Sequence, residues 1–170
     1  QQVPPTIAVY SLAMVATLYV MAPVLEAAQK EFNPERVASA PAGELMNAAA
    51  RAAEPFRDFL FRHSKPSHRQ FFKESAKKLW TPEMAAQATE RDFLILMPAF
   101  VVSELTSAFE IGFILYLPFI VIDLVVSNVL LALGMMMMSP MTISLPLKLL
   151  LFVAIDGWTR LIQGLVLGYA

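Results

Sequence analysis

The stretch from Asp123 to Arg160 reads DLVVSNVLLALGMMMMSPMTISLPLKLLLFVAIDGWTR. Two apolar runs flank a break at Ser139-Pro140, and each run is long enough for several helical turns. The residue before a proline is pushed out of the helical region, which places a helix end near Met138 or Ser139. Ser144 can then cap a new helix, with Pro146 tolerated in its first turn. The pattern predicts a helical hairpin. One arm runs back from Met138 toward Phe119, the other forward from Leu145 toward Ala170.

Outward from the hairpin, residues 93–170 are almost continuously apolar, with Pro98 and Pro118 as further breaks. Ile7 to Leu25 carries no charge and spans about 28 Å as a helix, close to a bilayer core. Pro4 and Pro5 set its start, and Pro23 is expected to kink or end it. Between these lies a polar stretch. The chain has 13 Lys and Arg and 14 Asp and Glu. Only Glu104, Glu110, Asp123, Lys148, Asp156 and Arg160 of these fall outside residues 26–92. Charged residues are 16% of the 170 against about 25% in soluble domains, and mean hydropathy is +0.57. This is the layout of an all-α membrane protein in three parts: an apolar helix over residues 1–25, a polar helical insert over 26–92, and apolar hairpins over 93–170.

In the insert, Pro34, Pro41, Pro55, Pro66 and Pro82 punctuate short helices. Met46, Ala49, Ala50 and Ala53, and then Phe56, Phe59 and Leu60, recur at helical spacing. Phe71, Phe72, Leu79 and Trp80 are the candidate core. So small a segment is expected to lean on its own apolar part or on neighbours. Arg57, Arg62, Lys65, Arg69, Lys73, Lys77 and Lys78 outnumber Asp58 and Glu74. That is a solvated basic face, with anionic lipid or an acidic partner as the functional reading.

A net charge of -1 and the lack of any basic stripe or motif argue against nucleic acid. With no cysteine there is no disulfide or thiolate metal site. The first residue is Gln1, so a processed chain or a fragment is expected, with any targeting signal upstream. No protease, P-loop or dinucleotide motif occurs. His63 and His68 are separated by Pro66, and Ser103, Ser107, Ser127 and Ser139 have no histidine in the apolar half. Asp123 and Asp156 sit in no protease motif. A non-enzyme without cofactor or metal is expected.

Charges in a membrane segment cost roughly 2.5–3.5 kcal/mol each and need partners. A hairpin turning at residues 139–143 sets Asp123 opposite Arg160 as an intrachain ion pair, and Asp156 near Ser127 and Asn128. Lys148 falls opposite Gly134, away from any acid. Either it snorkels to an interface, or a glutamate of another chain, Glu104 or Glu110, meets it. Met135, Met136, Met137 and Met138, with Met141 beyond, point around a helix. Copper(I) ligation, apolar packing and a deformable seal in a ring of identical chains are the readings open to them.

The run SELTSAFEIGFILYLPFIVIDLVVSNVLLALGMMMMSPMTISLPLKLLLFVAIDGWTRLI, Ser103 to Ile162, resembles the SctR family. This is the R subunit of the injectisome export apparatus, related to flagellar FliP. QQVPP at the start and PFRDFL from Pro55 also resemble family segments; Glu31 to Ala53 and His63 to Ala88 resemble it least. Glu110, Ser127-Asn128 and Ser139-Pro140 are more similar to the injectisome branch than to a flagellar export gate. A small-solute channel or transporter, the rival from another class, needs internal repeats that the chain lacks.

The resemblance implies a ring of five copies that joins S and T subunits into a cone through which unfolded secretion substrates pass. It implies a pore gasket of Met135, Met136 and Met137, with Met138 a further candidate. It also implies an interprotomer ion pair between Glu104 and Lys148. The location implied is the bacterial inner membrane, among its lipids, with the insert on the periplasmic side. A further hydrophobic helix is expected before QQVPP.

Overall fold

A computed structural model describes residues 5–31, 41–135 and 137–169. Among them are seven α-helices and no strand. They are α1 (Thr6–Glu31), α2 (Ala42–His63), α3 (Pro66–Leu79), α4 (Pro82–Gln87), α5 (Phe93–Ala132), α6 (Pro140–Ala154) and α7 (Gly157–Leu167). The chain divides into two compact units, Gln1–Leu105 and Thr106–Ala170, and the division falls inside α5.

Proline acts in two ways here. Pro66 and Pro82 stand in the first turns of α3 and α4, where the missing N–H costs nothing. Pro23, Pro55 and Pro146 lie inside helices that run through them, and α5 likewise passes Pro98 and Pro118. The breaks expected at Pro55, Pro98 and Pro118 are therefore absent, α1 does not end at Pro23, and Pro146 lies in the second turn of α6 rather than its first. One missing hydrogen bond is tolerable when several apolar turns on either side hold the helix together. Pro34 lies outside the described residues, as does Pro4.

In the first unit, α1 packs on α2, and Arg51 reaches Glu31 at 3.3 Å. Ser11 and Thr17 donate their hydroxyl protons to the carbonyls of Ile7 and Ala13, so neither needs water. Ile95, Leu96 and Ala99, on the first turns of α5, are the fully buried core. The insert closes over them: the Phe59 ring meets that of Phe100 at 5.9 Å, and Ala76 is buried. The aromatic core expected in the insert is corrected here. Phe71 is exposed and Leu79 is 81% exposed, while Phe72 and Trp80 are only half-buried, so the insert's fully buried apolar side chains come from α5 and Ala76.

Polar groups finish the seam. The buried Arg69 donates to the carbonyls of Phe61 and Ser64, and its guanidinium lies 4.1 Å over the Phe61 ring. Arg91 bonds Asp58, and Arg57 bonds Glu54 and stacks on Phe93 at 4.8 Å.

In the second unit α5 ends early. Gly134 N–H donates to Leu131 O, Met135 N–H donates to Leu130 O, and Gly134 has φ +72. This pair of bonds around a left-handed glycine is a Schellman cap. It stops the helix at Ala132, well before the expected Met138. Ser139 and Pro140 then open α6 rather than close α5. Ser144, expected as a cap, is buried inside α6.

The second arm is also not one helix. It bends by 57° between α6 and α7. At the bend Asp156 has φ 53, in the left-handed region, and Gly157 faces the Phe152 ring so closely that a Cβ would collide with it. By length and hydropathy α1 and α5 can each cross a membrane, and the bent α6–α7 pair can form a third span. At 40 residues α5 is about 60 Å long, twice a bilayer core.

Candidate functional site

The site is the turn between α5 and α6 and the pair of helices beneath it. Because Gly134 fits a positive φ without strain, the chain leaves α5 there, so Met135, Met137 and Met138 fall in the turn and Met141 in the first turn of α6. Met137 is fully exposed, at 101%, and Met135, Met138 and Met141 are exposed as well. Met136, also expected in the gasket, lies outside the described residues. The turn is held through its backbone, with Met138 N–H donating to Met135 O at 3.3 Å.

Below the turn Lys148 Nζ donates to Asp123 Oδ2 at 2.6 Å. Ser144, fully buried, donates its hydroxyl proton to Met141 O at 3.5 Å. Two expectations are corrected by this contact. Asp123 takes Lys148 and not Arg160, and Lys148 has an acid in its own chain. The reason is the cap at Gly134. It moves the fold-back point from the neighbourhood of Met141 to between Ala132 and Pro140. Every partner across the two helices then slides along, and the position opposite Asp123 becomes Lys148.

Arg160 instead lines an apolar cavity of about 380 Å³ with Leu115, Phe119, Phe152 and Leu161. Asp156 and Asn128 are not brought together either. Asp156 precedes α7 and accepts the Thr159 hydroxyl at 3.0 Å, while Asn128 is exposed on α5. The residues that sequence reasoning missed are Gly134 and the Asp156-Gly157 pair. Both carried a signal, a glycine closing a long apolar run and an Asp-Gly dipeptide inside one.

Glu104 belongs to the first unit, where its charge acts on His63. The His63 imidazole is held below its ordinary range, chiefly by burial. Glu104 pulls the other way, and Arg62 reinforces the depression.

Ser103 does meet a histidine in this unit, His68 of the insert rather than one of the apolar half. Ser103 Oγ receives the Lys65 N–H at 2.8 Å, lies 2.8 Å from His68 Nδ1 and donates its own proton to Ala99 O at 2.7 Å. With its proton committed to a carbonyl and 1% of its surface exposed, this hydroxyl fastens the insert to α5 and is not placed to attack a substrate. No group of three His, Asp or Glu side chains that could hold a metal occurs among the described residues.

Comparison with known proteins places these features in a group. The model of the FliP family matches residues 1–165. The chain is 53% identical to the Yop proteins translocation protein R of Yersinia pestis over 169 residues, 99% of this chain and 78% of the relative. It is 48% identical to the harpin secretion protein HrpW of Pseudomonas syringae pv. syringae, covering 99% of this chain and 81% of that protein. It is 45% identical to the virulence protein YscR of Salmonella typhimurium, covering the whole of this chain and 79% of that protein.

Proposed function

Because this chain belongs to the FliP family, we propose that it is a membrane-embedded subunit of the protein-conducting export gate of a bacterial type III secretion system. The observation that carries the reading is the exposed methionine turn at the end of an apolar hairpin. Thioether side chains are apolar and flexible, so a collar of them can close on itself and re-pack around an unfolded chain of any sequence. The work the chain does is to bind, line and seal; energy for transport comes from elsewhere in the machine.

Several copies are needed to close a collar. Five copies with S and T partner subunits is the arrangement the family resemblance supplies. Bare apolar surface on the second unit supports it, since only a few side chains there, Val126, Leu130 and Ser144 among them, are buried within the chain. The inner membrane, with residues 26–92 on its periplasmic side, is the location that goes with this assembly.

The Glu104–Lys148 contact between protomers now rests on the resemblance alone, because Lys148 has Asp123. An ammonium has three donors, so Lys148 can hold Asp123 and still donate to a glutamate of the next chain.

The test is to place a photo-crosslinking residue at Met137 in the assembled machine and stall a substrate in transit. Crosslinks at Met137 and none at the exposed Leu79 of the insert are expected. A substrate that never reaches Met137, while secretion proceeds normally, removes the reading.

A further inference from the structure

The turn between α5 and α6 and the first turn of α6 gather oxidisable sulfur that the single chain leaves uncovered. Met137 has its whole surface exposed, and Met135, Met138 and Met141 have 40% or more of theirs. A thioether gives up two electrons to a peroxide or hypohalous acid and becomes a polar sulfoxide. We infer that this turn is a reversible oxidation site, and that sulfoxide formation there unseals the gate. The inference rests on the reading of the turn as a seal.

The chemistry balances with one oxidant. The sulfur lone pair attacks a peroxide oxygen, the O–O bond breaks, a sulfur–oxygen bond forms and water leaves. The sulfur is oxidised by two electrons and the peroxide is reduced by two. A thiol-dependent methionine sulfoxide reductase returns the thioether.

Position makes the consequence specific to the turn. Met46 and Met84 are exposed on the insert and offer oxidant the same sulfur. They belong to helices α2 and α4 of the polar insert, and their oxidation leaves an already wetted surface wetted. The backbone bonds of the turn, Gly134 N–H to Leu131 O and Met135 N–H to Leu130 O, involve no sulfur and survive oxidation. The scaffold therefore stays and only the lining changes. A sulfoxide oxygen accepts hydrogen bonds from water, and an apolar constriction that held by excluding water becomes wettable.

The experiment uses the assembled complex reconstituted in planar bilayers and treated with hydrogen peroxide. Peptide mass spectrometry reads the added oxygen at each methionine. Sulfoxide in the Met135–Met141 peptide is expected to accompany a rise in closed-state conductance of roughly tenfold, as for an apolar gate that wets. The rise should reverse with reductase and thiol. Replacing Met135, Met136, Met137, Met138 and Met141 with leucine keeps the seal, and should abolish the response while Met46 and Met84 still oxidise.

Full oxidation of the turn with no conductance change overturns the inference. So does a rise that persists in the leucine variant. The alanine variant of the same five positions separates the two claims. If it leaks without oxidant while the oxidised wild type does not, the seal stands and the oxidation switch falls. If neither leaks, both fall.

Discussion

The residues up to Leu105 and those from Thr106 onward are both helical, yet they reach stability by different routes. The first unit completely buries Ile95, Leu96 and Ala99 and wraps them in a polar seam of Ser64, Arg69 and Ser103. That closure belongs to the insert and the first turns of α5, while α1 in the same unit stays apolar and exposed. The second unit buries Val126, Leu130, Ser144 and Gly157, and leaves Leu131, Leu150 and Val153 more than half exposed. Its cover has to come from outside, from lipid or from other copies. In such a surround the hydrophobic effect between helices is weak, and polar contacts and close packing have to fix the geometry. The Asp123–Lys148 pair and the glycines at 134 and 157 meet that need.

The largest effect is expected where this contrast is sharpest. Lys148→Ala leaves Asp123 without its cation in an apolar surround, and assembled complex on native gels should fall on the order of a hundredfold. Arg160→Ala should cost far less, because Arg160 pairs with no carboxylate among the described residues. Exchanging the two charges, Asp123→Lys with Lys148→Asp, should recover much of the loss. Equal yields from wild type and Lys148→Ala would dissolve the distinction between a unit held by packing and one held by a clasp.

The first unit is challenged next. Ser103→Ala removes the acceptor of Lys65 N–H and the partner of His68, both half-buried, at a cost of about 1–3 kcal/mol. Hydrogen exchange should rise at the start of α3 and stay unchanged in α6. A uniform rise across both units would mean they unfold as one body. Gly134→Ala is expected to cost the second unit about 1–2 kcal/mol, the strain of a Cβ at φ +72. Thermal unfolding in detergent measures it, and a stability equal to wild type would show that the cap does not set the hairpin.

Much of this architecture was legible in the sequence because period and hydropathy are local properties. The all-helical class and the uncharged spans could be read directly from apolar runs of the right length. The hairpin itself could be read too, but its register could not. Register depends on where one helix stops, and two signals competed, Gly134 and Ser139-Pro140. Proline is the stronger breaker in isolation, but here it begins a helix and glycine ends one. That single choice moved Asp123 from Arg160 to Lys148. Internal prolines misled for the same reason: propensity prices one residue, while a long apolar helix averages over many. The Ser103 seam was illegible because its members are 35 and 38 residues apart, with no periodicity linking them.

The smallest expected effect concerns proton binding, and it separates the two units most cleanly. The His63 imidazole in the folded chain sits below its ordinary value near 6.5, chiefly through burial against α5. A depressed value means that the unfolded chain binds the proton more readily than the folded one. Stability from this group is then fully present above the ordinary value. It is lost as pH falls through the ordinary value toward the depressed one. Glu104 nearby limits the depression, so Glu104→Gln should deepen the pH dependence, while His63→Phe should flatten it. Hydrogen exchange followed from neutral to mildly acidic pH should show α2 and the first turns of α5 loosening, with α6 unaffected. An acid-induced loosening that survives in His63→Phe would assign it to the carboxylates of the Arg91–Asp58 and Arg57–Glu54 contacts instead. The seam would then be held by its ion pairs rather than by burial of a neutral imidazole.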